Sequence, residues 1–194
     1  MKLVTYRASV AAEARLGVIV GNQVLDAEAL GDVYGEDIPS SMLDLIDTGR
    51  AGVDALREIV EEAGDNPPIH TSTALANVKL LAPIPRPRKN IFGIGLNYLD
   101  HITESAKALD TDDALPKEPV VFSKPPTAVI GPGDAIRHDS SMTQQLDWEV
   151  ELAVIIGRQA TRVSHEDALS CVFGYSVMID VSARDRHRDM GKPA

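Results

Sequence analysis

The sequence predicts an α+β protein, with a small N-terminal α/β unit followed by a larger, strand-rich domain. Three observations lead to this prediction. Residues 1–82 contain strand, hairpin and helix patterns, residues 83–89 form a basic, Pro-rich stretch, and residues 90–194 contain short strands separated by Gly and Pro. We therefore expect a small N-terminal domain over 1–82, a linker over 83–89 and a larger second domain over 90–194.

The N-terminal unit shows both strand and helix periodicity. Residues 2–7 alternate as a strand, and residues 17–20 and 23–26 flank a two-residue Gly-Asn turn, which is typical of a β-hairpin. Between Gly49 and Gly64 the apolar residues fall on one helical stripe. Residues 78–81 are apolar enough to return to the sheet.

Strands dominate the predicted second domain. A capping pattern, Ser164 with Asp167 three residues on, predicts a short helix that closes at Gly174. Apolar runs predict strands at residues 90–95, 120–123, 128–130, 149–156 and 175–181.

Composition limits the class of function. A net charge of −10 disfavours nucleic acid and anionic membranes as partners, so an anionic substrate needs locally placed cations. The sequence has no apolar run long enough for a membrane span and no signal peptide at its N-terminus, which predicts a cytoplasmic protein. Cys171 is the single cysteine, and its apolar neighbours predict a buried residue rather than a nucleophile.

Residues 147–157 combine acids with a strongly apolar run and are predicted to form one β-strand. Alternation puts Asp147, Glu149 and Glu151 on one face, while the other face is apolar throughout. Neighbouring carboxylates on one face repel each other, which favours a bound cation. Oxygen-only ligands indicate Mg²⁺, Mn²⁺ or Ca²⁺ rather than zinc. The alternative is an edge strand with a solvated acidic end.

Two further candidates come from the flanking sequence. Asp180 ends the apolar run of residues 175–181 and is a third candidate metal ligand, although a simple turn residue would look the same. His101 and Glu104 are three residues apart in a predicted helical turn, where a carboxylate would orient an imidazole as a general base. A surface His-Glu pair is the alternative. Polar residues 99–117 predict a mobile lid.

Four motifs occur in order along the chain. They are Gly95-Leu96-Asn97-Tyr98-x-x-His101-x-x-Glu104; Phe122-x-Lys124-Pro125 with Gly131-Pro132-Gly133; Asp147-x-Glu149-x-Glu151-Leu152-Ala153-Val154; and Gly174-Tyr175 leading to Asp180-Val181-Ser182-Ala183-Arg184-Asp185. Together they make the chain similar to the fumarylacetoacetate hydrolase family over nearly its whole length. The resemblance implies a small N-terminal domain beside a twisted, mixed β-roll, assembled as a homodimer.

The resemblance also implies roles for individual residues. Glu149, Glu151 and Asp180 would hold Mg²⁺ or Mn²⁺, and His101 with Glu104 would activate water. Residues implied to contact the substrate are Tyr98, Lys124, Arg184 and His187. His187 stands where the family commonly has Gln. The family also continues beyond the equivalent of Ala194, which predicts a β-roll truncated at its C-terminus.

The leading functional expectation is a hydrolase that cleaves a carbon-carbon bond in a β-diketo or acylpyruvate-like acid through a metal-bound enolate. The alternatives are a decarboxylase or isomerase of a related keto acid, oxaloacetate-like or hydroxymuconate-like, and a non-catalytic metal-binding module. In each case the expected substrate or ligand is small and anionic. The pattern of residues does not choose among these chemistries, because all of them use the same acids.

Overall fold

The computed structural model of the chain describes residues 1–98 and 117–187, the last without its side chain. The chain divides into two compact units. One comprises Met1–Ile84 together with Gly131–Ala194, and the other comprises Pro85–Ile130. Among the described residues, no helix is long and apolar enough to cross a bilayer. The predicted α+β fold class is confirmed.

A five-stranded antiparallel sheet forms the centre of the N-terminal part. Its strands lie in the order β4-β3-β2-β1-β5. The predicted hairpin is confirmed, because Val20 pairs with Gln23 across the two-residue turn. The strands are β1 (Lys2–Arg7), β2 (Arg15–Val20), β3 (Gln23–Asp26), β4 (Ser72–Ala74) and β5 (Lys79–Leu80).

Three helices cover this sheet: α1 (Ala27–Tyr34), α2 (Met42–Asp47) and α3 (Gly49–Ala63). The stripe between Gly49 and Gly64 correctly predicts α3, whereas the sequence analysis missed α1 and α2. Asp26 and Ser41 cap α1 and α2 by accepting backbone N–H groups, as N-cap residues do. The buried core lies between sheet and helices and includes Leu16, Leu30 and Leu56, all 0% exposed.

The second unit contains a two-stranded antiparallel sheet, β6 (Ile91–Gly95) and β7 (Val120–Lys124). Both strands agree with the sequence prediction. The strand predicted at 128–130 is wrong, because Pro126–Ala128 form a 3-10 turn in which Ala128 N–H donates to the Pro125 carbonyl at 3.0 Å. Two consecutive prolines fix φ and remove the donors that a ladder needs.

Residues 131–187 add two further antiparallel pairs to the first unit. The strands are β8 (Leu146–Asp147), β9 (Val150–Ile156), β10 (Val172–Ile179) and β11 (Ser182–Ala183), followed by α4 (Arg184–His187). The pairs are β9 with β10 and β8 with β11. Asp167 N–H donates to the Ser164 hydroxyl at 3.1 Å, so the capping contact is confirmed. The predicted helix closing at Gly174 is wrong, because only a 3-10 turn forms at Ala168–Cys171 and Gly174 lies within β10. Cys171 is buried as expected.

The β9–β10 hairpin has two different faces. Ile155 and Phe173 pack against the N-terminal core, so the less exposed face of β9 lies against that core. The entirely apolar face is exposed instead: Val150 is 67% exposed, Leu152 60% and Val177 74%. Val177 pairs directly with Leu152, so these side chains form one continuous surface.

Candidate functional site

The acidic stretch folds as two strands rather than one. β8 ends at Asp147 and β9 begins at Val150, so the prediction of a single strand over 147–157 is wrong. At the break, Glu149 has φ of 36°, and Trp148 N–H donates to the Asp147 carboxylate at 2.8 Å. A positive φ is uncommon for a non-glycine residue, and such strain is often found at functional sites.

The backbone brings the three predicted metal ligands to one end of the β9–β10 hairpin. Glu151 lies opposite Met178, and Asp180 N–H donates to the Glu149 carbonyl at 2.8 Å. Asp180 is buried at 7% exposure, and the side chain of Glu149 is 18% exposed. The backbone therefore brings these acids to one end of the paired strands, where Glu149 and Asp180 are partly desolvated.

Arg184 joins two of the acids through its guanidinium group. Pairing of β11 with β8 places Ser182 opposite Asp147, and Arg184 N–H continues the ladder to the Gln145 carbonyl at 2.9 Å. From there Nε donates to Asp147 Oδ2 at 2.9 Å, and Nη2 lies 2.7 Å from Glu149 Oε2. The side chain of Arg184 is 33% exposed.

These contacts change the proton affinities of the groups involved. The hydrogen bond from Arg184 lowers the pKa of Asp147 below its usual value and outweighs the opposing effect of burial. Burial acts to lower the pKa of Arg184, but the bonds to Asp147 and Glu149 outweigh it and raise that pKa. Both groups are therefore charged at neutral pH.

The next residue, Asp185, fixes α4 on its other side. Its carboxylate accepts from the Thr143 hydroxyl at 2.5 Å and from Gln144 N–H at 3.0 Å. Thr143 is buried, and its carbonyl oxygen lies 2.8 Å from His138 Nε2. The Arg-Asp pair thus anchors α4 to both the acidic strand and the loop before it.

The donors suit a hard divalent cation in kind, since Glu149, Glu151 and Asp180 offer only oxygen. Their arrangement is less complete. Within residues 1–98 and 117–187, no three Asp, Glu, His or Cys side chains are gathered closely enough to hold a metal ion. The Glu149 carboxylate is held by Arg184. The backbone therefore places the three predicted ligands near one another, while metal binding by their side chains stays a prediction.

The other predicted site residues are described separately. Tyr98 is 53% exposed beyond β6, and Lys124 ends β7 opposite Ile91. Both belong to the second unit. His101 and Glu104 lie outside the described residues, as does nearly all of the predicted lid at 99–117. His187 closes α4, and its side chain is also outside the described part.

Sequence reasoning assigned no role to two residues that the structure places at this site. Asp147 was grouped with the acids but not paired with Arg184, and Asp185 was quoted only as part of a motif. The sequence signal for both was their negative charge: Asp147 lies two residues before Glu149, and Asp185 directly follows Arg184. The contacts join Arg184 to Asp147, 37 residues apart, and Asp185 to Thr143, 42 residues apart, and spacing along the chain does not reveal such pairings.

Comparison with known proteins gives consistent matches. The model of the family described as "Fumarylacetoacetate (FAA) hydrolase C-terminal" matches residues 90–194. Oxaloacetate tautomerase YisK of Bacillus subtilis is 43% identical over 158 residues, which are 79% of this chain and 51% of that protein. The mitochondrial oxaloacetate tautomerase FAHD2A of Homo sapiens is 34% identical over 187 residues, 95% of this chain and 54% of that protein. The chain thus spans about half the length of these curated relatives.

Solved structures agree with the sequence matches. Fumarylacetoacetate hydrolase from Exiguobacterium antarcticum is 33% identical, with a TM-score of 0.67 over 97% of this chain and 58% of that one. Maleylpyruvate hydrolase from Sphingobium sp. SYK-6, in complex with manganese(II) and pyruvate, is 27% identical, with a TM-score of 0.67 over 95% of this chain and 60% of that one.

Proposed function

Because this chain belongs to the fumarylacetoacetate hydrolase family, we propose that it interconverts the keto and enol forms of an oxaloacetate-like acid. The proposal takes the isomerase alternative of the sequence analysis in preference to carbon-carbon hydrolysis. One observation carries it: the two curated relatives described above, one bacterial and one human, are both named oxaloacetate tautomerases. The acids and Arg184 supply chemistry that suits such a substrate.

The substrate carries carboxylates, and this chain is strongly acidic. Binding therefore needs a local cation, and the partly exposed guanidinium of Arg184 presents one at the end of β11. Asp185 holds the backbone of α4 against Thr143 and Gln144, which limits the positions that the Arg184 side chain can reach. Arg184 is thus a residue that binds and orients a carboxylate.

Keto-enol exchange moves protons only. The enol hydroxyl loses its proton, the adjacent carbon gains one, and no carbon-carbon bond breaks. A divalent cation held by Glu149, Glu151 and Asp180 would act as a Lewis acid and stabilise negative charge on the substrate oxygens. His101, oriented by Glu104, is the predicted residue for proton transfer, because imidazole both accepts and returns a proton near neutral pH.

The test is a comparison of products from one protein preparation. Enol-oxaloacetate is added with Mg²⁺, and the decay of enol absorbance is followed together with release of carbon dioxide and pyruvate. We expect faster enol decay with no carbon dioxide release beyond the uncatalysed rate. Accelerated cleavage of an acylpyruvate, with enol decay at the rate of buffer alone, would contradict the proposal.

Carbon-carbon hydrolysis is the second candidate, and one comparison favours it. The structural relative from Sphingobium is a maleylpyruvate hydrolase seen with manganese(II) and pyruvate. Hydrolysis needs an attacking water in addition to the groups above, so it depends more strongly on the predicted His101–Glu104 dyad. The same product comparison separates the two reactions, because only hydrolysis consumes water and yields two fragments.

A further inference from the structure

Arg184 and a divalent cation have overlapping roles at the acidic end of the β9–β10 hairpin. We propose that Arg184 is the resident counter-ion of Asp147 and Glu149, and that a divalent cation binds at this end only by displacing the guanidinium from Glu149. The inference rests on the cation site of the proposed function. It makes Arg184 a positioning residue that sets metal affinity, in addition to a residue that binds substrate.

The geometry of the Arg184 guanidinium suits its displacement from Glu149 by a cation. Nε bonds Asp147, while Nη2 contacts Glu149, so the two carboxylates are held by different nitrogens of one side chain. Rotation of the guanidinium that keeps the hydrogen bond from Nε to Asp147 would move Nη2 away from Glu149. The side chain of Arg184 is 33% exposed, which leaves solvent into which Nη2 can move.

Charge favours a cation beside these carboxylates in both states. Glu149 is 18% exposed and lies beside Asp180, which is buried, and Glu151 follows two residues later. Partly desolvated carboxylates at this spacing repel one another, and an adjacent positive charge offsets that repulsion. Arg184 provides this charge for Glu149 in the described structure. A divalent cation on the same carboxylate takes over that role and also repels the guanidinium.

The alternative is a static anchor. In that case Arg184 holds Asp147 and Glu149 in every state, the metal binds without moving it, and its removal weakens the site by loosening Glu149. Exchange and static anchoring predict opposite changes in metal affinity when Arg184 is replaced.

The experiment titrates Mn²⁺ alone into wild type, Arg184→Gln and Arg186→Gln by calorimetry. Trp148, the single tryptophan, gives an independent fluorescence signal from the residue between Asp147 and Glu149. Arg186→Gln is the matched control, because Arg186 is exposed, its Nε donates to the Met142 carbonyl at 2.7 Å, and its replacement removes the same unit charge.

We expect Arg184→Gln to tighten Mn²⁺ binding by about tenfold, a change of roughly 1.4 kcal/mol, and Arg186→Gln to leave it nearly unchanged. Equal affinity in wild type and Arg184→Gln, or weaker binding in the variant, would overturn the exchange. An equal gain in both variants would also overturn it, since that result reports net charge alone.

A second measurement on the wild type covers the case in which Arg184→Gln fails to fold. The guanidinium NMR signals of Arg184 are followed during titration with diamagnetic Mg²⁺. Exchange predicts that the Nη signals shift toward a freely rotating group while the Nε signal stays close to its position. Saturation with Mg²⁺ and no change at Nη would overturn this inference alone. Absence of Mg²⁺ and Mn²⁺ binding would overturn the cation site of the proposed function as well.

Discussion

Asp26 shows how one buried carboxylate organises the N-terminal unit. It accepts two hydrogen bonds from Arg15, at 2.5 and 2.8 Å, one from the Tyr6 hydroxyl at 2.7 Å and one from Ala29 N–H at 2.9 Å. The same residue ends β3 and caps α1. A sheet and a helix are therefore fixed to each other through a single side chain.

Replacement of this carboxylate should destabilise the unit. We expect Asp26→Asn to lower the free energy of unfolding by about 2–3 kcal/mol. The substitution removes the negative charge that accepts hydrogen bonds from Arg15 and Tyr6 in a partly buried network. Arg15 is 37% exposed, so solvent screens part of the loss. Glu28→Gln is the control, since Glu28 is 43% exposed and makes one contact with Arg15, at 2.8 Å, worth less than about 1 kcal/mol. Equal urea midpoints for both variants would refute this role.

The same carboxylate predicts how stability depends on pH. Burial acts to raise the pKa of Asp26, but hydrogen bonds from Arg15, Ala29 and Tyr6 outweigh it and lower that pKa from 3.8. A carboxyl group whose pKa is lower in the folded state stabilises the fold at pH values above its pKa in the unfolded state. This stabilisation is lost as the pH falls from that value through the pKa in the folded state. The free energy of unfolding of the wild type, measured with urea, should therefore fall from about pH 4 downward. The Asp26→Asn variant should show a smaller decline, and an identical decline would count against this assignment.

At the residue scale, the sequence located acids but not their partners. Glu149, Glu151 and Asp180 were predicted as one group, and the backbone brings them to one edge. The positive φ of Glu149 and its pairing with Arg184 were not predictable, because both follow from the β8–β11 and β9–β10 pairings. Local spacing carries no information on which distant strand supplies a counter-charge.

Elements with a strong period were the ones predicted correctly. β1, the β2–β3 hairpin and α3 follow directly from alternation and from an amphipathic stripe. α1 was missed because it is eight residues long and contains Gly31, a poor helix former. The break at Trp148 and Glu149 was missed because alternation continues through it.

Gly31 in α1 tests whether close packing or helix propensity has the larger effect on stability. A Cβ at this position would lie 2.6 Å from the Glu36 carbonyl oxygen and 2.9 Å from Ile38 Cγ1. We expect Gly31→Ala to destabilise the protein by about 1–3 kcal/mol through overpacking, which outweighs the gain of about 1 kcal/mol in helix propensity. Thermal unfolding measures the difference, with Ala29→Gly reporting propensity in the same helix. A variant more stable than wild type would show that the turn after α1 can move away.

On the scale of the whole molecule, the exposed face of the β9–β10 hairpin is a large apolar surface within the part of the chain that the structure describes. It combines Val150, Leu152, Tyr175, Val177 and Ile179, each at least 51% exposed. Contiguous apolar surface of this kind is uncommon on soluble monomers and marks an interaction surface. Homodimerisation was predicted from the family resemblance and stays a proposal.

The chain should accordingly self-associate in a concentration-dependent manner. We expect Val177→Thr to reduce association in sedimentation experiments while changing thermal stability little, because threonine retains strand propensity at a side chain that is 74% exposed. Val18→Thr is a contrasting control at a core position, 1% exposed, and should lower stability instead. A wild-type chain that stays monomeric at the highest concentration tested would contradict the prediction.

The central claim is that the acids at the end of the β9–β10 hairpin form a divalent-cation site from which Arg184 is displaced. The most direct measurement is an anomalous-difference map from a crystal of this chain soaked in Mn²⁺. We expect one peak between the carboxylates of Glu149, Glu151 and Asp180, with the Arg184 guanidinium still on Asp147 but moved away from Glu149. A peak elsewhere, or Arg184 still bonded to Glu149 beside a bound ion, would contradict it.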